Sequence, residues 1–142
     1  MAERSMSVGY VGLGNLGVHL ASSLLRAGHV LTVTDLHQEA AAGLVAAGAT
    51  WADTAQAVAE ASDVVFTCLP SPAAVDAVVA GRDGVLAGLC AGGTWIDNST
   101  NDRDETLRLA ALAATKAVRV LEAPVTGGVH KAAAGEITVL VA

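Results

Sequence analysis

Apolar positions along the chain follow two periods that alternate from one end to the other. Short runs rich in Val, Ile and other apolar residues at 8–12, 30–35, 63–69, 95–97, 118–122 and 137–141 read as strands. Between them lie Ala- and Leu-rich stretches at 15–27, 39–47, 52–61, 72–79 and 102–116, which read as helices. In the first of these, Leu13, Leu16, Gly17, Leu20, Leu24 and Ala27 share one helical face and His19, Ser22, Ser23 and Arg26 the other, so one side is expected on a sheet and the other in water. Punctuation agrees with the periods. Gly28 follows the first helix as a C-terminal stop, Ser71-Pro72 supplies an N-cap and a first-turn proline, and Asp102 with Glu105 has capping-box spacing. The 63–69 run is apolar after its first residue, which suits a parallel strand covered on both faces. Strands alternating with helices predict an α/β domain with a parallel sheet.

Composition narrows the function. A chain of 142 residues supports one domain, 1–142. The hydrophobic fraction of 53% and mean hydropathy of +0.52 are high. Even so, charge or Gly interrupts every apolar run well before the roughly 18 residues a membrane-spanning helix needs. Residues 1–7 lack the apolar core of a secretory signal and the repeated Arg of a transit peptide, so a cytoplasmic location is the expectation. Cys68 and Cys90 show no metal-ligand spacing and read as reduced structural thiols; no metal site is expected. A net charge of −6 argues against a nucleic-acid partner and leaves a small molecule as the expected ligand.

Gly12-Leu13-Gly14-Asn15-Leu16-Gly17 matches G-x-G-x-x-G, a weak signal alone in a chain with 15 Gly. Context strengthens it: the motif follows a predicted strand, opens a predicted amphipathic helix, and is followed by Asp35 at the end of the second strand. That is the fingerprint of a Rossmann-type doubly wound sheet. In it Gly12 permits the tight turn, Gly14 lets the backbone approach a pyrophosphate, and Gly17 lets helix pack on strand. Asp35 would accept from the adenosine ribose hydroxyls and repel a 2′-phosphate, and Leu36-His37-Gln38 offers no Arg or Lys, so NAD is expected over NADP. On residue type alone, Asp35 could also cap a turn.

Three more loops leave predicted strand ends: Leu69-Pro70-Ser71-Pro72, Asn98-Ser99-Thr100 and Ala123-Pro124-Val125-Thr126-Gly127-Gly128. Each also fits ordinary turn chemistry. Together with the fingerprint they resemble the β-hydroxyacid dehydrogenase family, which includes 3-hydroxyisobutyrate dehydrogenase and tartronate semialdehyde reductase. The first loop resembles the one that passes beside that family's cofactor, and Glu122-Ala123-Pro124-Val125-Thr126-Gly127-Gly128 resembles its substrate signature, usually Asp-Ala-Pro-Val-Ser-Gly-Gly. The resemblance implies that Leu69, Pro70 and Thr100 meet the cofactor, that Ser99 lies near the nicotinamide at the substrate, and that Thr126, Gly127 and Gly128 hold a substrate carboxylate. Glu122 and Thr126 are mild departures. His130-Lys131, where many members carry small residues, either recharges the substrate pocket or faces solvent on a short helix.

The family's catalytic Lys lies on a long helix leading into an all-helical second domain, and neither Lys116 nor Lys131, the only lysines, matches it. The resemblance therefore puts that Lys beyond Ala142, the last residue of this sequence. The expectation is an NAD-binding part truncated at its C-terminal end, with no catalytic residue of its own and an exposed apolar edge. The intact protein implied is a homo-oligomer that moves a hydride between a small hydroxy acid or semialdehyde and the nicotinamide. One rival reading is a non-catalytic NAD(H)-binding module or a subunit needing a partner chain, which a natural chain ending at Ala142 would favour. Another is a methyltransferase, which would leave the Thr126-Gly127-Gly128 loop without a role.

Overall fold

The computed structural model describes residues 5–142; residues 1–4, part of the N-terminal segment read above for targeting signals, lie outside them. Six parallel strands form one sheet: β1 Ser7–Val11, β2 Val30–Thr34, β3 Thr50–Trp51, β4 Val64–Thr67, β5 Thr94–Asp97 and β6 Arg119–Glu122, in the order β3-β2-β1-β4-β5-β6. The order reverses between β1 and β4, which makes the sheet doubly wound and opens a crevice at that point.

The register aligns the strand ends. Val11 pairs with Thr34 on one side and Thr67 on the other, Thr67 with Asp97, and Asp97 with Glu122. The residues that follow, Gly12, Asp35, Cys68, Asn98 and Ala123, therefore emerge along one edge of the sheet.

Helices cover both faces. α1 Gly17–Arg26 and α2 Ala42–Ala46 close a core of Val8, Tyr10, Leu13, Ala21, Leu31, Val33 and Leu44. On the other face α3 Ala55–Glu60, α4 Pro72–Ala80, α5 Val85–Gly88 and α6 Arg103–Thr115 close a second core around Val58, Val65, Val75, Val79, Trp95 and Leu109. Burying each of these large side chains contributes about 1.5–3 kcal/mol. Gly9 makes the second interface possible, since a Cβ there would lie 2.4 Å from Val58 Cγ1.

Several elements differ from the sequence reading. The first helix begins at Gly17 rather than 15, and Ala27, expected on its buried face, is exposed beyond its end. The 39–47 helix divides into a 3₁₀ turn Gln38–Ala41 and α2. The 52–61 helix shortens because Thr54 Oγ1 accepts from Ala57 N at 3.0 Å and starts it there. Two elements, β3 and α5, carry no periodicity long enough to read. The final run at 137–141 does not join the parallel sheet. Within it only β8 Thr138–Val139 is a strand, antiparallel to β7 Val125–Thr126, with α7 Gly128–Ala134 between them.

After β8 the backbone stays close to the end of β6. Leu140 N donates to the Pro124 carbonyl and Ala142 N to the Glu122 carbonyl, both at 2.8 Å, so Ala142 is tied to the fold by its backbone although it is exposed. Nearby an apolar cleft of about 310 Å³ opens between α1 and the sheet, bordered by Leu20, Leu24, Ile96, Leu121 and Val139. Leu121, Val139, Leu140 and Val141 are exposed.

Candidate dinucleotide-binding site

The larger cleft, about 660 Å³, lies at the crevice between β1 and β4. Its floor is the loop from β1 to α1, and each glycine there does something different. Gly12 sits at φ +99°, and a Cβ on it would fall 2.2 Å from the Cys68 carbonyl oxygen. A Cβ on Gly17 would fall 2.0 Å from the Gly12 carbonyl oxygen, so its absence lets α1 start against the strand end. Nothing lies within 4 Å of a Cβ on Gly14, which is exposed and faces the cleft. Two glycines are required by the protein itself; the third keeps space free.

The N–H groups of Gly14, Asn15 and Leu16 have no acceptor among the described residues, and α1 has neither a side-chain cap nor an acidic residue in its first turn. These donors and the positive end of a ten-residue helix have the chemistry that receives an anion, without any basic side chain. No Lys or Arg lines the cleft.

Asp35 stands beside that site, past the end of β2. Its Oδ2 accepts from Leu13 N at 2.6 Å and its Oδ1 from His37 N at 2.9 Å. The carboxylate is thus held by two backbone donors, with lone pairs left for further hydroxyl donors. Leu13 itself is buried and does not line the cleft; its N–H belongs to Asp35 rather than to a ligand.

Of the residues singled out in the sequence, Gly12, Gly14, Asn15, Leu16, Gly17, Asp35, Leu69 and Pro70 border this one cleft. Thr100 is exposed outside it, as are Thr126, Gly127 and Gly128, which form the turn from β7 to α7. Gly127 and Gly128 take left-handed φ values of +124° and +80°, and their N–H groups have no acceptor among the described residues. His130 and Lys131 lie exposed on α7. Ala142 also lies outside the cleft. Sequence reasoning missed the far wall, made by Leu36, Thr54, Ala74, Ala77 and Val78. A signal existed: helix 72–80 is apolar on more than one face, more than a single buried stripe requires.

Beneath the loops on the β4 and β5 side lies a buried polar network. Asp97 Oδ1 accepts from Thr67 Oγ1 at 2.9 Å and from Ser99 N at 3.0 Å, and Trp95 Nε1 donates to Thr67 Oγ1 at 2.9 Å. Tyr10 Oη donates to Asn98 Oδ1 at 2.9 Å, while Asn98 Nδ2 donates to the Ala123 carbonyl at 2.8 Å. Ser99 is 3% exposed, and its Oγ accepts from Leu69 N at 2.8 Å. Burial pushes the Asp97 carboxyl above the usual carboxylate range, with hydrogen bonding from Ser99 and Thr67 opposing it. Burial also raises the Tyr10 phenol and, aided by the nearby Asp97 charge, the Cys68 thiol. Cys68, although it lines the cleft, is therefore a poor nucleophile at neutral pH.

Residues 7–142 match the family described as the NAD binding domain of 6-phosphogluconate dehydrogenase. The chain is 39% identical over 139 residues to 2-(hydroxymethyl)glutarate dehydrogenase of Eubacterium barkeri, covering 98% of this chain and 46% of that protein. It is 40% identical over 134 residues to 3-hydroxyisobutyrate dehydrogenase of Pseudomonas aeruginosa, covering 94% and 45%. Among solved structures, 3-hydroxyisobutyrate dehydrogenase of Mycobacterium tuberculosis, determined with L-serine, superposes with a TM-score of 0.89 at 33% identity over 97% of this chain and 46% of that one. The chain thus spans a little under half the length of these relatives. With the strand order, the glycine loop and these likenesses in agreement, the chain belongs to the β-hydroxyacid dehydrogenase family, as its N-terminal NAD-binding domain.

Proposed function

We propose that this chain binds NAD(H) in preference to NADP(H), as the cofactor-holding part of an oxidoreductase acting on a small 3-hydroxy acid or semialdehyde. The observation that carries the reading is the Asp35 carboxylate, fixed by Leu13 N at 2.6 Å beside a loop with three unpaired N–H groups. A dinucleotide fits that arrangement. Gly14, Asn15 and Leu16 donate to the pyrophosphate, Asp35 accepts from the adenosine ribose, and the adenine ring rests on the apolar wall of Ala74, Ala77 and Val78. A 2′-phosphate at Asp35 would meet a negative charge and no basic residue in the cleft.

When bound, the nicotinamide cofactor supplies the hydride chemistry. The protein's part is orientation, which lowers the barrier only when both reactants are held close. Thr100 lies toward the nicotinamide in this reading. In the same reading the N–H groups of the left-handed Gly127 and Gly128, which have no acceptor among the described residues, would hold a substrate carboxylate together with the Thr126 hydroxyl. Neither lysine of the sequence through Ala142 stands at the family's catalytic position, so this chain alone holds the cofactor and turns over substrate little or not at all.

The test is a paired titration with NADH and NADPH, following cofactor fluorescence and quenching of Trp51 and Trp95. Saturable binding with tighter NADH is the expected result. Absence of binding by a chain that still melts cooperatively would remove the reading, and tighter NADPH would remove the assignment of Asp35.

A further inference from the structure

The register shows where the sheet stops and side chains take over. Asn98 N donates to the Thr67 carbonyl at 2.8 Å, the last rung between β4 and β5. Beyond it the strands separate, and Pro70 has no N–H to offer. Leu69 N–H is part-buried and finds its acceptor across the gap in Ser99 Oγ, at 2.8 Å. Ser99 is held in turn: it is 3% exposed and its own N–H donates to Asp97 Oδ1 at 3.0 Å. On the other side, Cys68 N donates to the Val11 carbonyl at 3.0 Å, and the Cys68 carbonyl fills the space a Gly12 side chain would need. A contiguous line thus runs from Asp97 through Ser99 and Leu69 to the glycine loop.

This arrangement changes the part Ser99 can play. The family resemblance implied a place at the substrate, yet its side chain is sealed from the cleft, whereas Leu69 and Pro70 border the cleft directly. Those two lie on the β4 side of the crevice, across the glycine loop from Asp35 on the β2 side. A dinucleotide with its adenosine at Asp35 and its pyrophosphate at Gly14 extends toward them with its other half.

We infer that Ser99 is a positioning residue for the nicotinamide half of the dinucleotide, its hydroxyl pinning the Leu69–Pro70 loop in the shape that half requires. The inference rests on the NAD(H) reading above. Without the hydroxyl, Leu69 N–H has no acceptor within the protein and the loop gains freedom that binding must remove.

The experiment compares NADH with ADP, which carries only the adenosine and pyrophosphate, on the full chain and on Ser99→Ala. NADH affinity is expected to fall about tenfold while ADP affinity stays within about twofold, and the Leu69 amide should exchange faster with solvent. Ser99→Thr, which keeps the hydroxyl, should keep the wild-type ratio of the two affinities. Equal losses for NADH and ADP would make Ser99 merely structural and overturn the inference, as would unchanged NADH binding. Should Ser99→Ala fail to fold, Ser99→Cys, of similar volume and with a poor acceptor, is read in the same way. Failure of the wild-type chain to bind either nucleotide would remove the underlying reading along with the inference, a result distinct from a defect confined to the variant.

Discussion

Replacing Asp35 by Asn alters more than a charge, because both carboxylate oxygens are already in use. Oδ2 accepts from Leu13 N at 2.6 Å and Oδ1 from His37 N at 2.9 Å, and Asn has one oxygen to offer. Its amide must face one of the two N–H groups, donor against donor, at a cost of about 1–3 kcal/mol to the loop. Hydrogen bonds to an ionised acceptor contribute about 1 kcal/mol more than neutral ones, so two ribose hydroxyls lose about 2 kcal/mol, or about thirtyfold in NADH affinity. The opposite sign applies to NADPH. Two unit charges 4 Å apart near a protein surface repel by about 4 kcal/mol, and relief of even a quarter of that improves NADPH about fivefold against the same loop cost. NADPH keeps its 3′-hydroxyl and so shares about 1 kcal/mol of the hydroxyl loss, and the ratio of the two affinities should move toward NADPH by about thirtyfold or more, measured by paired titrations at one ionic strength. The repulsive part should shrink as salt is added. Equal losses for both cofactors would refute the reasoning, since they would mean that Asp35 acts only on the glycine loop through Leu13.

Gly14→Ala should leave the melting temperature unchanged, as its methyl meets nothing within 4 Å, yet weaken NADH at least about tenfold by occupying the pyrophosphate space. Gly17→Ala should do the reverse in kind, losing about 3 kcal/mol or more in a urea titration, because its methyl would lie 2.0 Å from the Gly12 carbonyl oxygen. Tyr10→Phe leaves Asn98 Oδ1 without its buried donor and should lower stability by about 1–3 kcal/mol, followed by Trp95 fluorescence. Asp97→Asn can keep both acceptor bonds on Oδ1 while removing a buried charge. Since the folded chain holds the Asp97 proton at pH values where the unfolded chain has lost it, Asp97 costs stability as pH rises through its raised folded value. The variant's stability advantage in thermal melts should thus grow from pH 4 to pH 7; a constant difference would count against this account.

The first half of the sheet was legible because strand, glycine loop, helix and acidic residue follow one another locally, each marked by its own pattern. Asp35 lies at the end of a readable strand, and its place beside the glycine loop follows from β1 pairing with β2. What could not be read depends on contacts between distant segments. β3 has only two residues, Thr50 and Trp51, too few for any period, and exists because Thr32 and Val33 offer a free edge. The two-residue ladder of β7 and β8 likewise forms from segments on either side of α7, and Ala142 reaches back to Glu122 in the same way. Ser99 shows the same limit at the site: the family resemblance implied a ligand contact, and only the register of β4 against β5 gives its hydroxyl to Leu69.

Buried polar side chains are not spread evenly over the sheet. Among the described residues these are Thr32, Thr34, Thr67, Asp97, Asn98 and Ser99, and all but Thr32 sit at or just past the C-terminal end of a strand. Burying such groups costs free energy unless each is hydrogen-bonded, and an apolar substitution of similar shape would often be as stable. A sheet edge that only closed a core would have no need of them. Here they fix the ends of β4 and β5, through Thr67 to Asp97, Asp97 to Ser99 and Ser99 to Leu69, while Tyr10 and Asn98 tie β1 to the start of the Thr126-Gly127-Gly128 segment at Ala123. Polar burial is thus concentrated along the edge from which the cleft-lining loops emerge, where it fixes loop positions as a proposed ligand site would require, and among the described residues the opposite edge of the same sheet shows none of it.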